Sequence, residues 1–517
     1  MSPKLRACGA VFATVVVAAS AGCGSNVPRA EIREAAGLGP TGATAAAATS
    51  PAGSASADTP GGAAPAAGST EAAPVAGAPA SGGSAAGSAA GAATPAGNAA
   101  PNAAVPTKKP ASSSSAATAK GPAASGGGSR SAAANPGAAP GGATVATGCP
   151  APCGPLVIGS VGTWSGIVGQ NVVGGLNALR SWVASTNAAG GLGGHQVRLE
   201  VADDGTDPAR HRALVQEFVE RRGVMAFVYN AAVFSGQASV EYLNAHKIPV
   251  VGGSGTEPWY TTSPMFFTQI IAGEVAIEAT TASYARSAKA ANMTKMGLVT
   301  CSDGVQVCED TARSVPRYAS KYGVQLAYQG KASLAAPDFT ANCLAARNAG
   351  VQILYLALDA NSYQRFGRSC ASVDYHPKYG VAQPVMLAEL ARDPNLQGSP
   401  GVSYTAPFFY DANPAIAEFH RAMSQYAAGA ALTGSASLGW SAAKLLQAAA
   451  RRLSAIPTSA DILEGVWALN GEDLGGLTAP LRFRRDGPTV PPVCYWQVVV
   501  ADNSYKSPDN GTRHCEQ

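Results

Sequence analysis

From Pro155 onward, apolar residues fall into short runs and helical stripes that alternate along the chain. Leu156-Val157-Ile158-Gly159-Ser160-Val161 is a short apolar run, the pattern of a strand buried on both faces. Val168, Val172, Leu176, Leu179 and Val183 then recur at helical spacing, and Asn187-Ala188-Ala189-Gly190-Gly191 supplies a stop. Val197, Leu199 and Val201 alternate as a strand. Asp207-Pro208 predicts a helix start, with Asp as cap and Pro in the first turn. Met225 to Tyr229 and Ile248 to Val251 read as further strands around an intervening helix. The rhythm restarts after about Thr268. Met296 to Thr300 precedes a helix through Arg317, and Val324 to Tyr328 precedes a helix from Asp338. Val351 to Leu356 is the clearest strand, and Val385-Met386-Leu387 is strand-like. Helices near 413–428 and 435–453 follow, and the tail ends in strand-like Val493 to Val500. Strands alternating with helices predict an α/β protein with mainly parallel sheets covered on both faces. About 360 residues are too many for one small core and suit two Rossmann-like lobes.

The preceding stretch has no such rhythm. Between Gly37 and Gly148 it is almost entirely Ala, Gly, Pro, Ser and Thr, with little to bury against backbone entropy. Residues 23–148 are therefore expected to be a disordered spacer, reaching on the order of 60 Å as a flexible coil. Residues 1–22 read as an export signal: Lys4 and Arg6, then an apolar stretch from Ala10 to Ala19 too short to span a bilayer comfortably. Ala19-Ser20-Ala21 fits ordinary signal cleavage. Ser20-Ala21-Gly22-Cys23 resembles a bacterial lipobox, with Ser20 where Leu is usual, and would make Cys23 the lipidated first residue. Of ten cysteines, ordinary cleavage removes Cys8 and leaves nine, whereas lipidation of Cys23 leaves eight free to pair. This favours lipidation and an anchor on the outer face of the bacterial cell membrane.

The eight thiols fall into neighbours: Cys149–Cys153, Cys301–Cys308, Cys343–Cys370 and Cys494–Cys515. Cys343 and Cys370 are expected on consecutive helices around one strand, and Cys301–Cys308 would staple a loop to the next helix. The six histidines are scattered and form no compact Cys/His quartet, so no metal is expected. Net charge is +4 without a basic run, which argues against nucleic acid.

In parallel α/β sheets ligands sit beyond the carboxyl ends of the strands. The loops there are Thr163-Trp164-Ser165-Gly166, Asn230 to Ser235, Gly252 to Thr256, Cys301 to Gly304, and Asp359-Ala360-Asn361, with Glu389 after the strand-like Val385–Leu387. A helix beginning near Ser235 would present free N–H groups to an anion. Ser254, Gly255 and Thr256 combine hydroxyls with a close backbone approach. Asp359 and Glu389 offer negative charge to a ligand ammonium, and Trp164 and Phe234 an apolar wall. Catalytic patterns fail. Gly252 to Thr256 breaks the nucleophile-elbow rule at Thr256, Asp203 and Asp204 are adjacent and face opposite ways, and neither a Gly-x-Gly-x-x-Gly nor a Walker sequence is found. The chain is expected to be no enzyme and to need no cofactor.

Gly159 to Gln170 (GSVGTWSGIVGQ), Asn187 to Gly194 (NAAGGLGG), Val201 to Arg210 (VADDGTDPAR) and Ile248 to Tyr260 (IPVVGGSGTEPWY) together resemble branched-chain amino-acid-type binding proteins of ABC transporters, of the periplasmic-binding type I class. The resemblance spans roughly 155–500. It implies two lobes joined by three crossing segments, with 155–270 and 410–488 in lobe one and 275–405 and 489–517 in lobe two. It also implies a small-molecule ligand between the lobes, ABC permease subunits as partners, and a monomer. Thr256 falls on the family's carboxylate-binding threonine, and Glu389 where amino-acid binders carry an acid. Asp303 and Asp359 stand where aromatics are common, and Ala231-Ala232-Val233-Phe234 replaces a serine-rich loop before Ser235. These departures point away from an ordinary branched-chain amino acid. The alternative is a ligand sensor or surface-attached binding protein of the same fold without a transport role.

Overall fold

The computed structural model describes residues 153–485 and 487–516, apart from the side chain of Ile167. The signal, Cys23, the spacer and Cys149 of the Cys149–Cys153 pair lie outside the described residues.

Two parallel sheets follow one another. The first is built from β1 (Leu156–Gly162), α1 (Gly166–Ala188), β2 (Val197–Asp203), α2 (Pro208–Arg222), β3 (Ala226–Val228), α3 (Gln237–Ala245), β4 (Val250–Val251) and β5 (Phe266–Phe267), in strand order β2-β1-β3-β4-β5. After α4 (Gly273–Ala290) the second comprises β6 (Lys295–Cys301), α5 (Gln306–Lys321), β7 (Gln325–Ala332), α6 (Thr340–Asn348), β8 (Ile353–Ala357), α7 (Ala360–Ala371), β9 (Lys378–Ala382), α8 (Ala388–Arg392) and β10 (Pro400–Ser403). Its order, β7-β6-β8-β9-β10, repeats the first, and all of these pairings are parallel. Helices α9 (Pro414–Tyr426), α10 (Gly434–Ala449) and α11 (Ser459–Trp467) come next, then the short hairpin β11 (Asn470–Glu472) and β12 (Leu481–Arg482). The chain ends in β13 (Cys494–Ala501), β14 (Ser504–Lys506) and β15 (Arg513–Cys515), which extend the second sheet antiparallel from β10.

Local chemistry explains the elements. All seven β1 residues are buried, as the unbroken apolar run requires. Asp207 caps α2 by accepting from the Ala209 and Arg210 N–H groups at 2.8 and 3.1 Å, with Pro208 following and Gly223 ending the helix at φ 69°. Helices α9 and α10 pack on α1. The α1–α10 crossing is close because both helices carry glycine there: a Cβ on Gly439 would lie 2.1 Å from the Gly175 carbonyl oxygen.

One expectation is corrected. Val385-Met386-Leu387 is not a strand: Gln383–Val385 form a 3-10 turn, and the strand is Lys378–Ala382 just before it. A short apolar run does not by itself distinguish a buried strand from a buried turn. The helix expected near Ser235 begins at Gln237.

Disulfides join Cys301–Cys308, Cys343–Cys370 and Cys494–Cys515. Cys343 and Cys370 lie on α6 and α7, the helices flanking β8. Cys494 and Cys515 face each other across the β13–β15 pair.

Loop length sets the expected cost of removing each bridge. C343A/C370A opens a loop of sequence separation 27 and is expected to lose about 3–4 kcal/mol. C301A/C308A, of separation 7, should lose about 2–3 kcal/mol. Urea unfolding measures both, and the reverse order would mean that native packing at the bridges outweighs loop entropy.

Candidate functional site

Loops beyond the carboxyl ends of both sheets line one cavity of about 180 Å³. In each sheet the strand order reverses between the first and third strands, β1/β3 and β6/β8, which opens a crevice at that edge. Thr163 follows β1 and Ala231, Val233 and Phe234 follow β3. Across the cavity, Cys301 ends β6 and Asp359 follows β8. Ser254, Gly255 and Thr256 after β4, and Tyr404 after β10, extend the wall. Helix α1 turns Val168, Asn171 and Val172 into the cavity while Leu176 and Leu179 continue the same stripe into the core. Helix α4 adds Ala276 and Ile277.

The wall is mostly aliphatic and aromatic, and the residues lining it include no Lys, Arg or His. Its one carboxylate is Asp359, buried and committed as the cap of α7. It accepts from the Asn361 N–H at 2.9 Å, the Ser362 N–H at 3.2 Å and the Ser362 hydroxyl at 2.5 Å. The Cys301–Cys308 disulfide forms part of the wall. Asn171, 7 % exposed, makes no side-chain hydrogen bond among the described residues, and its Oδ1 is buried without a partner.

Two buried acids hold the cavity loops from behind. Asp204 accepts from the Thr163 hydroxyl at 2.8 Å and the Ser235 hydroxyl at 2.7 Å, joining the loops after β1 and β3. Glu257 is fully buried; it accepts from the Ser254 hydroxyl at 2.9 Å and the Thr256 N–H at 3.2 Å. Burial pushes the Glu257 carboxyl upward from its ordinary range, and the hydrogen bonds from Ser254 and from backbone N–H groups oppose that rise. Burial likewise lowers His211, which sits beside Asp204, to about 4.

The expected site residues divide. Phe234, Ser254, Gly255, Thr256 and Asp359 line the cavity; Trp164, Ser165, Ser235, Asp303 and Glu389 do not. Trp164 stacks on Tyr229 at 6.1 Å and donates its Nε1–H to the Ala202 carbonyl. Ser165 is exposed and bonded to Asp203. The anion seat expected at Ser235 is closed: its N–H and that of Gly236 donate to the Ala232 carbonyl, and its hydroxyl is held by Asp204. Asp303 is exposed and pins the neighbouring turn, accepting from the Ser333 hydroxyl and Leu334 N–H. Glu389 is exposed in the first turn of α8, because the strand that would have aimed it inward ends at Ala382. Sequence reasoning missed Asn171, Glu257 and Tyr404. Asn171 left a signal: it is a polar residue on the apolar stripe between Val168 and Val172.

A model of the family described as "Periplasmic binding protein" matches residues 155–504. No curated protein matches the sequence. Solved structures share the fold. A possible leucine/isoleucine/valine-binding protein from Rhodopirellula baltica SH 1 has 17% identity and a TM-score of 0.61, covering 70% of this chain and 98% of its own. A fatty acid ABC transporter substrate-binding protein from Thermomonospora curvata has 14% identity and a TM-score of 0.59, covering 69% and 92%. A solute-binding protein of an ABC transporter from R. palustris, in complex with benzoate, has 14% identity and a TM-score of 0.56, covering 70% and 98%.

The buried acid has a testable consequence. A carboxyl whose pKa rises on folding contributes stability that is present below its unfolded value and lost as pH rises through the folded value. Relative to Glu257→Gln, the wild-type protein is therefore expected to lose stability as pH rises from 4 to 9. Urea midpoints of the two proteins across that range give the difference directly. A gap moving toward the wild type with rising pH would show that the donors around Glu257 outweigh its burial.

Proposed function

Because the chain belongs to the periplasmic binding protein family, we propose that it is an extracytoplasmic receptor that captures a small molecule and delivers it to the permease of an ABC import system. The supporting observation is the cavity shared by the strand-reversal edges of the two sheets. Such an arrangement lets two lobes close over a ligand by hinge motion and present the closed form to a membrane partner. Its volume, about 180 Å³, compares with about 150 Å³ for an aliphatic-lined cavity that accepts benzene. The reading is of a carrier that catalyses nothing, acts as a monomer and is anchored through a lipidated Cys23. Lobe one comprises 155–270 and 410–488, and lobe two 275–405 and 489–517.

A thermal-shift panel of leucine, benzoate, octanoate and their amides tests capture. A binder at a hundred times its Kd stabilises by about 2.7 kcal/mol. Ala357→Phe, which fills the cavity from the end of β8, is expected to abolish that shift while preserving the fold. A strain lacking the protein should then fail to accumulate the compound that binds. Normal accumulation despite genuine binding would remove the transport role and leave a sensor.

For the anchor, cells fed a tagged fatty acid should label the wild-type chain and not Cys23→Ala. Equal labelling would place the lipid elsewhere.

A further inference from the structure

We propose that the cavity takes a compact apolar amide or amine that lacks a carboxylate, because its wall leaves the buried Asn171 carboxamide unpaired, includes no Lys, Arg or His, and gives one hydroxyl and one N–H of its polar loop to the protein's own Glu257. This rests on the reading of the chain as a ligand carrier and narrows its ligand.

The loop Ser254–Thr256 is the part of the wall where hydroxyl and N–H groups gather, so it is the natural seat for an anion. Two of its donors, one hydroxyl and one N–H, are spent from behind. The Ser254 hydroxyl goes to Glu257 Oε1 at 2.9 Å and the Thr256 N–H to Oε2 at 3.2 Å. With the Ser254 proton so committed, the 2.9 Å contact between the two hydroxyls is completed by Thr256 donating to Ser254. Thr256 then faces the cavity as an acceptor. An ionised Glu257 also sets a negative charge directly behind the loop, and a protonated one still holds the Thr256 N–H.

The remaining hydroxyls are drawn toward the protein: those of Tyr355 and Tyr404 gather on Thr280, with Tyr404 at 2.9 Å. Thr163 donates to Asp204, Thr311 to the Val307 carbonyl, and Tyr363 to the Leu356 and Gly380 carbonyls. Among the described residues no Lys, Arg or His lines the wall to compensate the desolvation of a buried carboxylate. What the cavity does offer is the Asn171 carboxamide, nine-tenths buried and without a partner among the described residues. A carboxamide both donates and accepts, so it is satisfied by a ligand amide. The Thr256 oxygen and Asp359 add acceptors that suit N–H groups, including those of an amine.

Isothermal titration of the full-length protein with matched probes decides the matter: isovaleramide, isopentylamine and isovalerate; benzamide, benzylamine and benzoate; and leucine. The amide or amine of at least one skeleton is expected to bind tenfold or more tightly than its carboxylate. Glu257→Gln removes the competing charge and frees the Ser254 hydroxyl, and should shift that ratio at least tenfold toward the carboxylate. Should that variant not fold by circular dichroism, Asn171→Leu serves instead: at least tenfold weaker amide binding, with toluene binding unchanged. The proposal is overturned if isovalerate, benzoate or leucine binds more tightly than its partners, if no amide or amine binds, or if the ratio is unmoved in a folded Glu257→Gln. In each of these cases the carrier reading stands or falls separately, on accumulation by cells lacking the protein.

Discussion

A parallel sheet ends all of its strands at one edge, and that constraint governs everything the molecule does with its polar residues. The central strands must be buried on both faces, so they carry almost no chemistry themselves. Leu156, Ile158 and Val161 in one sheet, and Ile353, Leu354 and Leu356 in the other, are apolar for that reason. Chemistry is displaced to the loops, and the order β2-β1-β3 in one sheet and β7-β6-β8 in the other separates two neighbouring loops in each. The cavity lies where those two separations meet, which is why residues as distant in sequence as Thr163 and Asp359 share one wall.

Loops beyond a strand edge are free to move unless something holds them, and here buried polar side chains do so. Asp204 joins the loops after β1 and β3 through Thr163 and Ser235. Gln269, on the segment leaving the first sheet, accepts from the Gly253 N–H and donates to the Gly253 and Leu438 carbonyls. Gln383, at the end of β9, donates to Thr405, Ser437 and the Gly434 carbonyl while accepting from the Tyr404 and Thr405 N–H groups. Both glutamines therefore reach helix α10 from segments near the cavity. Buried amides of this kind are costly unless fully paired, and full pairing fixes one geometry.

What the sequence disclosed follows the same division. Strand β1 and the Asp207-Pro208 cap were legible because each is decided within a few residues, by an apolar run or by a side chain reaching its own backbone. The loops that form the cavity were legible as a set, since alternation of strands and helices says where strands end. Which side chains on those loops face inward was not. Trp164 and Ser235 stand beside true wall residues but are drawn back into lobe packing by Tyr229 and Asp204, partners 65 and 31 positions away. Glu389 followed an apolar run whose length fits a strand and whose backbone forms a turn. Such outcomes depend on tertiary contacts that local pattern does not encode.

Glu257 is the sharpest case. Read along the chain it is an acid in a polar loop before Pro258, where exposure is the ordinary expectation. Folding buries it completely, with no salt bridge to it among the described residues and with donors from Ser254 and Thr256 on its two oxygens. A fold seeking stability alone would be better served by an apolar residue or by a paired charge. Departures from local rules of this kind concentrate where function rather than stability sets the residue. Two of the donors to this carboxyl, the Ser254 hydroxyl and the Thr256 N–H, come from the cavity wall, so the same bonds that make its burial tolerable are withdrawn from any ligand.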